Sequence, residues 1–202
     1  MKLYYAPGAC SLASHIILVE TGLPYSLEQV DLKAKTTADG RDYLKINPRG
    51  AVPALEILPG VVLTQNVAVL PYIGSRSENP AFRPAPHSLE DARLLEALGF
   101  CEDVHSAFGP LFVPDLPDVM RERILALITR RMKQVEAILT ASENGHLLPA
   151  GFTQADALLA VILSWAPHVN VDLSAYPRAC ALRDRVLARP AARKAMTEEG
   201  LA

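Results

Sequence analysis

The sequence contains three cysteines, and a thiol can act as a chemical reagent without help from a metal or cofactor. Cys10, Cys101 and Cys180 are odd in number and far apart, so they predict no disulfide framework. Cys10 follows Pro7-Gly8 and directly precedes a helical pattern, which places its sulfur beside the unpaired N–H groups of a helix start. That position stabilises a thiolate and lowers the thiol pKa, whereas most buried free cysteines are inert. On position alone, both roles stay open for Cys10.

No second thiol lies near Cys10, because the chain continues Ser-Leu-Ala over 11–13. An internal dithiol couple is therefore excluded, and any disulfide of Cys10 must form with another molecule. Cys101 and Cys180 fall within apolar helical patterns and are predicted to be core residues.

His105 is the histidine with the most informative position. It shares one helix face with Leu98 and Cys101, and a histidine on an apolar stripe is more often a core residue than a reagent. The remaining histidines are scattered along the chain, and no His, Cys or carboxylate cluster has the spacing of metal ligands. We therefore predict no metal. Glycine-rich phosphate loops and the dinucleotide-binding glycine pattern are also absent.

The first part of the chain predicts the order β-α-β-α-β-β-α. Strands are expected at 2–5, 26–32, 54–58 and 61–63, and helices at 11–20, 40–46 and 64–76. The first two strands flank one helix, so they should be parallel, and Pro59-Gly60 predicts a hairpin between the last two.

The second part shows only helical patterns. Helices are predicted from 88, 118, 157, 176 and 190, the one at 157–165 being apolar on nearly every side and therefore buried. Thr153 and Asp156 have the spacing of a capping box. We predict an α/β domain over 1–77, a proline-rich linker over 78–87 and an all-α domain over 88–202.

The composition is that of an ordinary globular protein. The 202 residues include 20 Lys+Arg and 22 Asp+Glu, a balance that predicts no nucleic-acid partner. The longest apolar run, 157–163, is too short to cross a membrane, and the first residues lack the pattern of a signal peptide. The expectation is a cytoplasmic protein with free thiols and no membrane partner.

Several short motifs together resemble those of the cytosolic glutathione transferases, in particular the bacterial beta class. They are Tyr-Tyr-x-Pro-Gly-x-Cys-Ser-Leu from Tyr4, Asn-Pro-Arg-Gly-x-Val-Pro-Ala-Leu from Asn47, Leu-Thr at 63–64 and Ser-Trp-Ala-Pro-His from Ser164. The likeness covers the whole chain. It implies a thioredoxin-like N-terminal domain, an all-α C-terminal domain and a homodimer, with glutathione as co-substrate for a small electrophile.

The resemblance also implies roles for individual residues. Cys10 takes the place of the family's active-site cysteine, whose sulfur lies beside the glutathione thiol and can form a mixed disulfide with it. Lys35 would meet the glycine carboxylate, and the main chain of Val52, before a cis Pro53, would pair with the tripeptide. His105 matches a second-domain histidine near the active site.

One stretch departs from the family pattern. After Leu63-Thr64 the family has an acidic residue followed by Ser, Ala or Gly, which hold the γ-glutamyl end, and this chain has Gln65-Asn66. Gln65 keeps the hydrogen-bonding reach but loses the charge that attracts the γ-glutamyl ammonium. Pro71 also falls inside the helix that follows.

Two hypotheses follow from these residues. The first is a glutathione-dependent enzyme whose bound thiolate attacks an electrophilic carbon or a disulfide, with Cys10 at the thiol and His105 at the substrate end. The second, favoured by Gln65-Asn66 and Pro71, is a catalytically weak relative that binds or regulates on the same scaffold.

Overall fold

The computed structural model describes residues 1–201, which divide into two compact units. The first unit comprises Met1–Ala85 together with the chain from Arg189 onward, and the second comprises Pro86–Ala188. This grouping differs from the predicted domains 1–77 and 88–202, because the last helix packs against the first helix of the chain. No helix within residues 1–201 combines the length and apolarity that a membrane crossing requires.

The first unit is built on a five-stranded sheet of order β3-β2-β1-β4-β5. Strand β1 pairs parallel to β2 and antiparallel to β4, and β4 pairs antiparallel to β5, which confirms the predicted parallel pair and hairpin. The hairpin turns at Gly60, whose φ of +77° suits a residue without a side chain. The strands are β1 (Lys2–Tyr5), β2 (Ser26–Asp31), β3 (Thr36–Thr37), β4 (Ala54–Leu58) and β5 (Val61–Thr64).

The α-helices of the described chain are α1 (Ser11–Thr21), α2 (Asn66–Gly74), α3 (Leu89–Phe108), α4 (Asp118–Ala141), α5 (Gln154–Ser164), α6 (Pro177–Leu187) and α7 (Pro190–Glu198). In the first unit, α2 and α7 both pack against α1, which is buried over most of its length. Gly22 caps the C-terminal end of α1 in a left-handed conformation, and its N–H donates to the carbonyl of Val19.

The helix predicted over 40–46 is wrong. That segment forms only a single 3-10 turn at Tyr43–Lys45, begun by Asp42, whose carboxylate accepts a hydrogen bond from the Leu44 N–H. Gly40 has a φ of +85°, which is outside the helical range, so a helix could begin only after it. The residues that remain up to position 46 are too few to form the costly nucleus of an α-helix. The short strand β3 was not predicted.

The second unit is entirely helical. Helix α5 packs against α3 and α6, and the residues from Gln154 to Leu163 are all buried, as predicted for the central helix. The predicted capping box is present, with the Asp156 carboxylate accepting from the Thr153 N–H at 2.8 Å. Together, the units confirm the predicted fold class, a thioredoxin-like α/β domain followed by an all-α domain.

Candidate active site

Cys10 lies at the N-terminal boundary of α1, directly before its first residue. The residue is 8% exposed, and its Sγ donates a hydrogen bond to the carbonyl oxygen of Val52 at 3.1 Å. The first N–H groups of any helix lack partners within the helix and carry the positive end of its dipole. The thiol therefore lies at the start of a helix, as predicted.

The loop whose Val52 carbonyl accepts the hydrogen bond from Cys10 is held in place by further hydrogen bonds. The Val52-Pro53 peptide bond is cis, and both residues are buried. One residue earlier, the carbonyl of Ala51 accepts hydrogen bonds from Tyr43 Oη at 2.8 Å and Asn47 Nδ2 at 2.7 Å. Burial raises the pKa of Tyr43 to about 12, so this hydroxyl keeps its proton and stays a donor.

Gln65 and Asn66 begin helix α2 but point to different surroundings. Gln65 is exposed and has a φ of +72°, a conformation that non-glycine residues rarely adopt and that costs about 1–3 kcal/mol. Asn66 is 2% exposed. Its Oδ1 accepts from Ser14 Oγ at 3.0 Å and its Nδ2 donates to the Cys10 carbonyl at 3.3 Å. The Asn66 side chain thus joins α2 to the start of α1.

Lys35 lies after β2 on a turn with a φ of +57°. Its Nζ donates to the carbonyl of Gly50 at 2.7 Å, which uses one of the three donors of the ammonium. Gly50 has a φ of +60°, and a Cβ there would lie 3.2 Å from the Lys35 side chain. The glycine therefore lets the lysine lie against the loop that leads to Val52.

His105 belongs to the second unit, on the last turn of α3. Its Nδ1 lies 2.9 Å from Glu102 Oε2, and its side chain is 28% exposed. Its ring meets the edge of Trp165 at a centroid distance of 5.1 Å, and Phe112 meets the same indole at 5.6 Å. The ring of His105 is therefore held by these contacts and remains accessible to solvent. The helical spacing that it shares with Cys101 in the sequence does not predict its aromatic partners.

The other two thiols differ in burial. Cys101 lies in the core, as predicted, whereas the predicted core position of Cys180 is wrong: it is only partly buried, because Ala179, Leu182 and Val186 form the buried face of α6. Cys101 is fully buried, and burial raises its pKa well above the usual range. Its Sγ donates to the Ala155 carbonyl at 3.4 Å, and that of Cys180 donates to Leu173. Within residues 1–201, no group of three or more His, Cys, Asp and Glu side chains is placed to hold a metal ion.

Sequence reasoning missed a buried polar cluster behind the Cys10 loop. His15 on α1 is fully buried, and its ring nitrogens lie 3.0 Å from Glu199 and 2.8 Å from Glu198. Tyr25 donates to Glu198 at 2.6 Å. Burial raises the pKa of Glu198, but the hydrogen bonds from Tyr25 and His15, together with the charges of His15 and Lys194, leave it lowered overall. The residues of each of these pairs are more than 170 positions apart in sequence, so no local pattern predicts the contacts.

A thioredoxin-like sheet with a cysteine at the start of its first helix, beside a loop with a cis proline, places the first unit in the class of thioredoxin-fold thiol domains. Residues 1–75 match the family model described as glutathione S-transferase, N-terminal domain. Glutathione S-transferase GstA of Escherichia coli O157:H7 is 35% identical over 202 residues, which is 100% of both chains.

The similarity to solved structures extends over the whole chain, as two examples show. The bacterial beta class glutathione S-transferase of Sphingomonas chungbukensis has a TM-score of 0.94 at 38% identity, with 100% of each chain covered. A sphingomonad glutathione S-transferase complexed with glutathione has a TM-score of 0.92 at 40% identity, again covering 100% of each chain. The chain belongs to the glutathione S-transferase family.

Proposed function

We propose that Cys10 is the thiol site of this glutathione transferase. The observation that carries the proposal is the position of its sulfur, at the start of α1 and 3.1 Å from the carbonyl of Val52 beside cis Pro53. A cysteine-containing peptide that paired with the Val52 main chain would bring its own sulfur next to Cys10. The family relationship identifies that peptide as glutathione.

The charges around this loop suit the two carboxylates of glutathione. Lys35 keeps donors for the glycine carboxylate beyond the one that it gives to Gly50. The N-terminus of α2, at Asn66 and Val67, presents main-chain N–H groups and the positive end of a helix dipole to the γ-glutamyl carboxylate. The neutral amide of Gln65 would accept from the γ-glutamyl ammonium.

With a disulfide substrate, the proposed reaction is thiol–disulfide exchange. The Cys10 thiolate attacks the glutathione sulfur of a mixed disulfide between glutathione and a second thiol, a new S–S bond joins the protein to glutathione, and the second thiol leaves as a thiolate that takes up a proton. The thiolate of another glutathione then attacks the glutathione sulfur of the adduct, which forms glutathione disulfide and releases Cys10. No further oxidant or reductant is needed.

With an electrophilic carbon, the nucleophile is the thiolate of bound glutathione. A bond forms between its sulfur and the carbon, the leaving group departs, and the thiol proton passes to solvent. Cys10 and the start of α1 favour the anion by hydrogen bonding and by the helix dipole. We assign to His105 a proton-donating or proton-accepting role toward this substrate, supported by the accessible ring that Glu102 orients.

The proposal includes a homodimer, which the family relationship supports. Leu58 and Val61 on the β4–β5 hairpin are 64% and 48% exposed, an apolar surface that a second copy would cover. Size-exclusion chromatography with light scattering would measure twice the chain mass.

The test of the proposed function combines binding and turnover. We expect the protein to be retained on immobilised glutathione, to be eluted by free glutathione and to conjugate glutathione to chlorodinitrobenzene. Boiled protein is the control for the spontaneous reaction. Absence of both retention and turnover would contradict the proposed enzymatic function and favour the second hypothesis, a catalytically weak relative that binds or regulates.

Replacing Gln65 by glutamate should tighten glutathione binding. The new carboxylate would pair with the γ-glutamyl ammonium. A hydrogen bond between charged groups is stronger than a neutral one, and the difference in free energy corresponds to a Kd about tenfold lower. Isothermal titration calorimetry at two salt concentrations would measure the change. Gln65→Ala is the matched control and should weaken binding, and an unchanged Kd in Gln65→Glu would contradict the assigned role.

A further inference from the structure

The carboxylate of Glu199 contacts the main chain of the loop that leads to Cys10. Glu199 follows the last residue of α7, and its side chain is fully buried. Its Oε2 accepts a hydrogen bond from the N–H of Gly8 at 3.0 Å, while its Oε1 lies 3.0 Å from Nδ1 of His15. A residue near the end of the chain is therefore bonded to a loop near its beginning.

Gly8 has a main-chain conformation that favours glycine, and it lies beside the end of the chain. It lies two residues before Cys10 and has a φ of +69°. Leu201 packs beside it, since a Cβ placed on Gly8 would lie 3.7 Å from Leu201 Cδ2. The chain after α7 thus supplies both a polar and an apolar contact to the loop between β1 and α1.

The contact of Glu199 with Gly8 is itself held in place. A buried carboxylate is stable only when donors surround it, and here the donors are the Gly8 N–H and the ring of His15. The second nitrogen of His15 lies 2.8 Å from Glu198 Oε2, so the ring lies between the two carboxylates. His15 is on α1, five residues after Cys10, and it therefore ties Glu199 to the same helix that carries the thiol at its start.

We propose that Glu199 is a positioning residue for the glutathione site, acting through Gly8 on the loop that ends at Cys10. The proposal rests on the proposed function, in which glutathione binds beside this loop. Without the carboxylate, the loop loses the hydrogen bond from the Gly8 N–H to Glu199 and becomes more mobile. Glutathione binding would then have to order it again.

The chain offers a matched control in a second ion pair between the same two segments. Arg189, directly before α7, donates to both carboxylate oxygens of Glu20 near the end of α1, at 2.6 and 3.1 Å. Glu20→Gln therefore weakens the attachment of the α7 segment at the end of α1 remote from Cys10. Any effect that belongs to helix attachment in general should appear in this variant as well.

The experiment compares Glu199→Ala, Glu199→Asp, Glu199→Gln and Glu20→Gln by calorimetric titration with reduced glutathione, at a temperature where circular dichroism shows each variant folded. We expect the Kd to rise about tenfold in Glu199→Ala, the factor that corresponds to fixing the backbone of one freed residue. Glu199→Asp, whose carboxylate falls short of Gly8, should follow it. Glu199→Gln keeps an acceptor oxygen and should stay within about twofold of the wild type, as should Glu20→Gln.

Each outcome has a defined meaning. A wild-type Kd in folded Glu199→Ala or Glu199→Asp would overturn the proposal, and so would an equal rise in Glu20→Gln. If Glu199→Ala does not fold, the Asp and Gln variants carry the same comparison. Failure of the proposed function is distinguishable, because it would appear as an inactive wild type or as an adduct away from Cys10, whereas this titration requires neither turnover nor a covalent step.

Discussion

Cys10→Ser is expected to abolish the mixed disulfide between the protein and glutathione and to slow glutathione-dependent disulfide exchange by at least about a hundredfold, because a positioned nucleophile is lost. Conjugation to an electrophilic carbon should fall by no more than about tenfold, since bound glutathione brings its own sulfur and the serine hydroxyl can still donate a hydrogen bond. Intact-protein mass spectrometry after exposure to glutathione disulfide measures the adduct, and initial rates measure the two reactions.

The controls for this result are the other two thiols. Cys101→Ser and Cys180→Ser should leave adduct formation at the wild-type level, because their Sγ atoms bond core carbonyls and the Cys101 pKa is raised by burial. Peptide mapping that located the adduct on Cys101 or Cys180 would contradict the assignment. If Cys10→Ser lost exchange and conjugation equally, this would contradict the assignment of bound glutathione, and not Cys10, as the nucleophile in conjugation.

The parts of the fold that could be predicted are those with local signals. Pro59-Gly60 between two short apolar runs predicts a hairpin, and a strand-helix-strand order predicts a parallel pair, and both are present. The location of Cys10 before α1 follows from the same kind of signal, because the apolar spacing of 12, 16 and 19 marks where the helix begins. These features depend on neighbours within one or two turns of chain.

What could not be predicted depends on distant residues. The cluster of His15 with Glu199 joins positions 184 residues apart, and it explains why the chain after Arg189 groups with the first unit instead of the second. The helix predicted over 40–46 is absent for a related reason, a contact with a residue outside the segment. Its apolar residues have a helical spacing, but Tyr43 is buried so that it can donate to the Ala51 carbonyl, and this tertiary contact outweighs a weak local propensity.

Asn66 shows how a correct location can hide a different role. The family resemblance places it at the γ-glutamyl end, and it does begin α2. Its amide is nevertheless turned inward, where it bonds Ser14 and the carbonyl of Cys10. The side chain thus connects the two helix starts on which the proposed glutathione site depends, and a change there should affect stability and binding together.

Asn66→Asp is expected to destabilise the protein by about 3–5 kcal/mol at pH 8, the cost of an uncompensated buried charge. Aspartate keeps the shape of the side chain and can still accept from Ser14, but its second oxygen would face the Cys10 carbonyl oxygen, to which Asn66 now donates at 3.3 Å. Glutathione affinity should fall as well, because the new charge lies where α2 would meet the γ-glutamyl carboxylate. Urea unfolding and calorimetric titration measure the two effects.

The sign of the pH dependence separates this mechanism from simple loss of packing. Burial beside a carbonyl raises the pKa of an aspartic acid above its unfolded value, so the penalty grows as the pH rises through that range and shrinks as the pH falls toward 5. The protonated acid can again donate to Cys10. Ser14→Ala removes the other hydrogen bond of the same amide and should cost only about 1 kcal/mol, with no such pH dependence. If the stability gap of Asn66→Asp were equal at pH 5 and pH 8, the inward hydrogen bond would not be the reason that Asn66 occupies this position.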